Sequence, residues 1–383
     1  MKVLLLAGEA SGVLYAERLK ESLRRAAGEA VEFRGYDTEG FRTEDLAVMG
    51  FWPVLKRIGY FLGVARTMKR AIASWRPDAV VTIDYPGLNL KLAAYAKGLG
   101  IPAVHVVCPQ VWAWHQNRIP KVAAALTKLL CFFPFEPALF GAPGTYGAFT
   151  AKFIGHPMVD VFAQEGAGAR KGAAGAEPLV ALLPGSRSGE IVRNLPRLLA
   201  AVRLLARDGH AFRVEIPAAG ERARRLIDRE LARTPVDGVD VRVRLGGARD
   251  LLRAADCAAV ASGTATLEAA LARCPTVLVY AVSPALAWFA RRVIRQIRHI
   301  GLANVIWEKS LPDGGAGQEA PMPELLQEAF TPEAVAARLG AWLSDPAARA
   351  AAVARLDGAM ALLHSDGDAL GLAAREILEA VKA

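Results

Sequence analysis

The chain has 383 residues, too many for one ordinary domain and suited to two, each with its own core. Hydrophobic residues make up 53% but aromatics only 7%, so Ala, Leu and Val must fill most of that core. The net charge of +9 draws the protein toward phosphates of nucleic acid, anionic lipid or sugar nucleotide, and no apolar run reaches the ~18–20 residues of a membrane-spanning helix.

The N-terminus, MKVLLLAGEASG, superficially resembles a signal peptide, but its apolar run is short and Glu9 stands where a cleavage site would follow. It reads as a strand over residues 3–7, and the protein is expected in the cytoplasm. The loop Gly8-Glu9-Ala10-Ser11-Gly12 then opens a helix over 13–25. Its small residues permit close approach by a ligand, Ser11 is placed to cap the helix, and Glu9 sits at a strand's end. A plain tight turn is the alternative. Residues 51–70 mix Phe51, Trp52, Tyr60, Phe61 and Leu62 with Lys56, Arg57, Arg66, Lys69 and Arg70, and a helix is expected over 64–75. Such a segment suits either an anionic membrane surface or a core-facing helix with a solvated basic side.

A second strand, 79–83, runs into Asp84-Tyr85-Pro86-Gly87-Leu88-Asn89. A carboxylate at the end of an apolar strand is either a general base or the cap of a turn. After a strand at 103–107 comes Cys108-Pro109-Gln110-Val111-Trp112-Ala113-Trp114-His115. Trp112 and Trp114 can stack a sugar or lipid, or plug the core. Neither His115 nor His156 has a partner at metal-ligand spacing, so no metal is expected. A strand at 129–133 completes this half. Continuous apolar strands alternating with helices imply a parallel sheet covered on both faces. The four cysteines, Cys108, Cys131, Cys257 and Cys274, form no C-x-x-C pair and read as buried thiols of a reducing compartment.

Residues 163–178 are rich in Gly, Ala and charge without apolar periodicity, and read as a linker. The pattern then restarts, with strands at 179–183, 212–216, 239–245, 257–261 and 276–280 and helices near 195–207 and 220–233. The expected division is 1–162, a linker at 163–178, a second unit at 179–345, and C-terminal helices at 346–383. In open parallel sheets ligands sit beyond the carboxyl ends of the strands. Two loops there favour an anion. Gly185-Ser186-Arg187 joins a strand to a helix and offers backbone N–H groups and a guanidinium. Ser262-Gly263-Thr264-Ala265-Thr266 starts another helix, with Glu268 one turn in, placed to accept from ribose hydroxyls. An ordinary capped helix is the alternative. Asp366-Gly367-Asp368 follows no strand and reads as a turn. Residues 284–301 repeat the mixture of Trp288, Phe289 and several Arg residues.

Taken in order, AGEASG, DLAVMG at 45–50, the IDxPxxN frame at 83–89, PxVWAW at 109–114, FIGHPMVD, LLPGSR and ASGTATLE resemble the lipid-A-disaccharide synthase family from Lys2 to about Gln327. The resemblance implies a GT-B fold, two Rossmann-like parallel-sheet domains facing a cleft. It implies an inverting transfer from UDP-2,3-diacylglucosamine to 2,3-diacylglucosamine 1-phosphate, forming a β-1,6 link. The reaction needs no bound metal or cofactor, and the enzyme is peripheral on the cytoplasmic face of the inner membrane, with no nucleic-acid partner and a homodimer left open. It makes Asp84 the base, Glu9 a second important carboxylate, and Ser11, Gly12, Asn89, Trp112 and Trp114 part of the acceptor side. On the donor side it places Gly185, Ser186, Arg187, Ser262, Gly263, Thr264, Ala265, Thr266, Glu268, Asn304 and Gln327. The sequence departs from the family at Val13 (usually Asp), Gly87 (usually a second Asp), His115 (usually Arg) and a shortened segment at 33–45. All four lie in the acceptor half, so a GT-B paralogue with another acceptor, or a UDP-N-acetylglucosamine epimerase, is the alternative.

Overall fold

The computed structural model describes residues 1–8, 10–41, 58–113, 116–166, 177–283 and 298–383. They form two compact units, Met1–Asp160 with Leu363–Ala383, and Val161–Leu362.

The first unit is built on six parallel strands: β1 (Lys2–Ala7), β2 (Glu32–Arg34), β3 (Ala79–Ile83), β4 (Ala103–Val106), β5 (Lys128–Cys131) and β6 (Thr150–Phe153). Their order across the sheet is β2-β1-β3-β4-β5-β6. Every residue of β3 and β4 is buried, as a strand covered on both faces requires. Alternate residues of β1 serve opposite faces. Val3 and Leu5 pack with Leu19 and Leu23 of α1 (Ala10–Ala27), whereas Leu4 and Leu6 pack with Val64, Met68 and Ile72 of α2 (Ile58–Trp75) and Leu92 of α3 (Pro86–Gly98). Each such side chain removed from water contributes about 1.5–3 kcal/mol. A short helix, α4 (Ile119–Ala125), precedes β5, and α5 (Pro157–Gln164) carries the chain into the second unit.

That unit has strands β7 (Leu179–Leu183), β8 (Arg213–Ala218), β9 (Val241–Leu245), β10 (Cys257–Ala261), β11 (Thr276–Tyr280) and β12 (Glu324–Leu326), again all parallel, in the order β12-β11-β10-β7-β8-β9. Helices α6 (Ser188–Arg207), α7 (Glu221–Arg233), α8 (Ala248–Ala254), α9 (Thr264–Leu271), α10 (Leu302–Ser310), α11 (Pro332–Ser344) and α12 (Pro346–Ala361) belong to it.

The final helix, α13 (Ala369–Lys382), returns to the first unit instead of extending the second. Its apolar stripe, Ala373, Ala374, Ile377 and Ala380, joins the core formed by α1 and the sheet. Glu376 accepts from Lys128 (2.7 Å) and from Lys152. Asp368 caps this helix by accepting from Gly371 N (2.7 Å), which gives the Asp-Gly-Asp turn a structural role.

Candidate active site

In both sheets strand order reverses beside a central strand, and the carboxyl ends of the two strands flanking that point are where such folds hold ligands. In the first sheet they are β1 and β3, which lead into Gly8–Gly12 and Asp84. In the second they are β7 and β10, which lead into Gly185–Arg187 and Ser262–Ala265.

Asp84 and Tyr85 both have left-handed backbones, with φ of 48° and 52°. Non-glycine residues there cost about 1–3 kcal/mol each and persist only where the surroundings impose them. The surroundings can be named. Asp84 N donates to Val106 O (3.0 Å). Asn89, fully buried, donates through Nδ2 to the carbonyls of Leu6 (3.3 Å), Ile83 (3.2 Å) and Asp84 (2.7 Å), and its Oδ1 accepts from the Tyr36 hydroxyl (2.6 Å). The Tyr85 ring rests on Gly8, where a Cβ would lie 2.6 Å from Tyr85 Cγ. The Asp84 carboxylate accepts from Tyr85 N (2.8 Å). Burial raises its pKa above the ordinary carboxylate value, and the Tyr85 N–H opposes this only in part. A half-buried carboxylate with raised pKa at the switch point has the properties of a general base.

Several expected acceptor-side residues do other work. Asn89 is a brace for the Asp84 turn, with its amide committed to protein partners. Trp112 is a core plug: it is 4% exposed, Nε1 donates to Glu136 Oε1 (3.2 Å), and Phe133 and Phe135 meet its ring edge-on. Little of it is left to stack a ligand. Ser11 falls in the first turn of α1, which starts at Ala10. Gly12 is buried, and a Cβ there would meet Ala7 and Ile83 only at ordinary contact distance. Glu9, Trp114 and His115 lie outside the described residues, as do the 45–50 motif, residues 51–57, most of 163–178 and residues 284–297.

At the second switch point a cavity of about 350 Å³ is lined by Gly185, Ser186, Arg187, Ser262, Gly263, Thr264 and Ala265. The N-termini of α6 and α9 open on it, bringing the backbone N–H groups of their first turns and the positive ends of two helix dipoles. Gly185 has φ 118°, and a Cβ there would come 2.5 Å from Glu190 Oε2. Glu190 reaches back to accept from Arg187 N (3.2 Å) and Arg187 Nη1 (2.9 Å), so it shapes the turn that carries the guanidinium. Sequence reasoning missed Glu190, and it missed two further walls of the cavity, Pro217–Ala219 and Gly246 with Ala248. The signal was present: PAAG closes β8, and GGA follows β9.

Four donor-side expectations fall elsewhere. Thr266 is fully buried and donates to Gly263 O (2.8 Å), tightening the first turn of α9. Glu268 accepts from Arg249 Nη2 (3.3 Å), a guanidinium where a ribose had been expected. Asn304 is fully buried, bonded to Met322 O and N and to Glu324 Oε1. Gln327, with φ 53°, accepts from Val282 N (3.4 Å). None of the four lines the cavity.

Residues 3–357 match the family model for lipid-A-disaccharide synthetase. The chain belongs to the lipid-A-disaccharide synthase family. Members from Azoarcus sp. (strain BH72) and Neisseria gonorrhoeae are 38% and 37% identical to it. The first alignment covers 95% of this chain and 92% of the relative, the second 97% and 94%. As a family member the chain is a glycosyltransferase. Its fold is similar to that of Acinetobacter baumannii MurG (TM-score 0.55, 12% identity, 99% of each chain covered). It is also similar to UDP-GlcNAc 2-epimerase from Neisseria meningitidis bound to UDP-GlcNAc (TM-score 0.57, 11% identity, 100% of each chain covered). These likenesses establish the two-sheet GT-B architecture.

Proposed function

We propose that the chain transfers diacylglucosamine from UDP-2,3-diacylglucosamine to the 6-hydroxyl of 2,3-diacylglucosamine 1-phosphate, giving the β-1,6-linked lipid A disaccharide 1-phosphate and UDP. Family membership along nearly the whole chain carries this reading. Asp84 takes the proton of the acceptor hydroxyl as its oxygen attacks the anomeric carbon, and the bond from that carbon to the UDP oxygen breaks on the opposite face, inverting the centre. The diphosphate leaves into the cavity of the second unit, where the N-termini of α6 and α9 and the Arg187 side chain stabilise its charge. Glu9 and Trp114 retain their family roles in this proposal.

The substrates are acylated, and the enzyme works from the cytoplasmic surface of the inner membrane. Helix α2 supports that placement. It buries Val64, Met68 and Ile72, while Leu62 is 51% exposed beside exposed Arg66, Lys69 and Arg70. No helix among the described residues is long and apolar enough to cross a membrane. Gly87 favours the second reading, a different acceptor. It is exposed with open space around it, so the family's second carboxylate on this loop is absent.

The test of the site is Asp84→Asn. Transfer should fall by roughly 10²–10⁴-fold, while UDP affinity, measured by calorimetry, stays within a factor of two or so. Unchanged transfer would remove Asp84 from the mechanism.

A further inference from the structure

Beside the Asp84 loop of the first unit, two thiols and a carboxyl converge in the interior. Cys108 follows β4, Cys131 ends β5, and Glu136 lies in the turn after β5. Because β4 and β5 are neighbours, their carboxyl ends bring the two thiols together, and the turn folds Glu136 onto them. All three side chains are buried, and their donor atoms lie within 4.8 Å of one another. Among the described residues this is the one such convergence of three ligand-type groups.

We infer that Cys108, Cys131 and Glu136 form a site for a single thiophilic divalent cation of the zinc type. The donor set is chemically apt, since zinc takes thiolate sulfur and carboxylate oxygen together. Bonds of about 2.3 Å to sulfur and about 2.0 Å to oxygen put the ligands of a tetrahedral ion roughly 3.5–3.8 Å apart, so the cluster has to contract by only about 1 Å. The carboxylate is already oriented. Trp112 Nε1 donates to one oxygen (3.2 Å) and Phe133 N to the other (3.1 Å), the outer contacts that steer a ligand toward a metal. Each oxygen keeps a lone pair for coordination. Two thiolates and a carboxylate around a dication leave one net negative charge, which those two N–H groups face.

Burial pushes Glu136 up to about 8 and the Cys131 thiol well above its ordinary value, so a cation would have to displace protons from them as it binds. A bound cation would tie the segment holding Cys108 and Trp112 to the end of β5. That segment starts next to Val106, whose carbonyl receives Asp84 N. The site would therefore support the Asp84 turn from behind, through β4, without touching the reacting atoms.

The experiment titrates the untagged, chelator-stripped full chain with Cd²⁺ and follows the ultraviolet thiolate-to-cadmium band, with Zn²⁺ as competitor and Tm as a second readout. The expected result is one Cd²⁺ per chain, displaced by Zn²⁺, with Tm raised. The band should vanish in Cys108→Ser and in Cys131→Ser, weaken in binding strength at least tenfold in Glu136→Gln, and persist in Cys257→Ser and Cys274→Ser. A wild-type chain giving no thiolate band at excess Cd²⁺ would overturn the inference without any variant having to fold. So would a band that survives loss of both Cys108 and Cys131.

Discussion

Asp84 and Tyr85 hold adjacent left-handed backbones, and the residues that force them there are as informative as the carboxylate itself. Asn89 satisfies three carbonyls at the turn, so Asn89→Ala strands buried acceptors. It should cost about 2–3 kcal/mol in urea unfolding and lower activity with it. A result near zero would mean that the turn does not depend on the amide. Raised by burial, the Asp84 pKa also sets a pH dependence. The base must be ionised to act, so kcat/KM should fall as pH drops through a value above the ordinary carboxylate range, and Asp84→Asn should lack that limb. The aspartate's place at the end of β3 was legible in the sequence, because an apolar run stops at it. Its brace was not. Asn89 was read as a ligand contact, because nothing in a linear pattern tells a buried amide from an exposed one. For Trp112 the sequence leaves a stacking platform and a core plug both open, because the partner that decides between them, Glu136, lies 24 residues away.

At the scale of elements, the turn from β7 into α6 depends on a glycine. Gly185→Ala would drive a Cβ against Glu190 at φ 118°, displacing Arg187 and the backbone N–H groups of the turn. UDP affinity should fall roughly tenfold or more, equivalent to about 1.4 kcal/mol, with little change in the transition of the first unit. Calorimetry with UDP checks this. In the other sheet His105 is completely buried on β4, with Nδ1 2.6 Å from Thr82 Oγ1, and burial lowers its pKa to about 3. Unfolded, it binds a proton below about pH 6.5 that the fold refuses. The stability due to neutral His105 is complete above that pH and is lost as pH falls toward 3. Wild type should therefore lose more unfolding free energy between pH 7 and pH 5 than His105→Gln, and equal losses would contradict the assignment. Most central strands were legible within a residue or two, since continuous apolar runs mark strands buried on both faces. Edge strands β2, β6 and β12 have only three or four residues and no period to read.

Across the whole molecule, the two α/β repeats were evident from the restart of the strand pattern near residue 179, and the anion-binding loops from the Gly- and Ser-rich strand ends. The return of α13 to the first unit was hidden, because its apolar stripe shows only that it packs, not on what. Deleting 363–383 should expose the core surface around Leu19 and Leu23 and destabilise the first unit by several kcal/mol, on the order of the 1.5–3 kcal/mol carried by each large side chain uncovered. Differential scanning calorimetry would register it as a lowered first transition. The proposed reaction joins two acylated glucosamines and releases UDP, and the decisive measurement is UDP release from UDP-2,3-diacylglucosamine with and without 2,3-diacylglucosamine 1-phosphate. Release that requires the acceptor and yields one disaccharide per UDP is the predicted result; release independent of the acceptor, or none with this pair while UDP still binds, would contradict it.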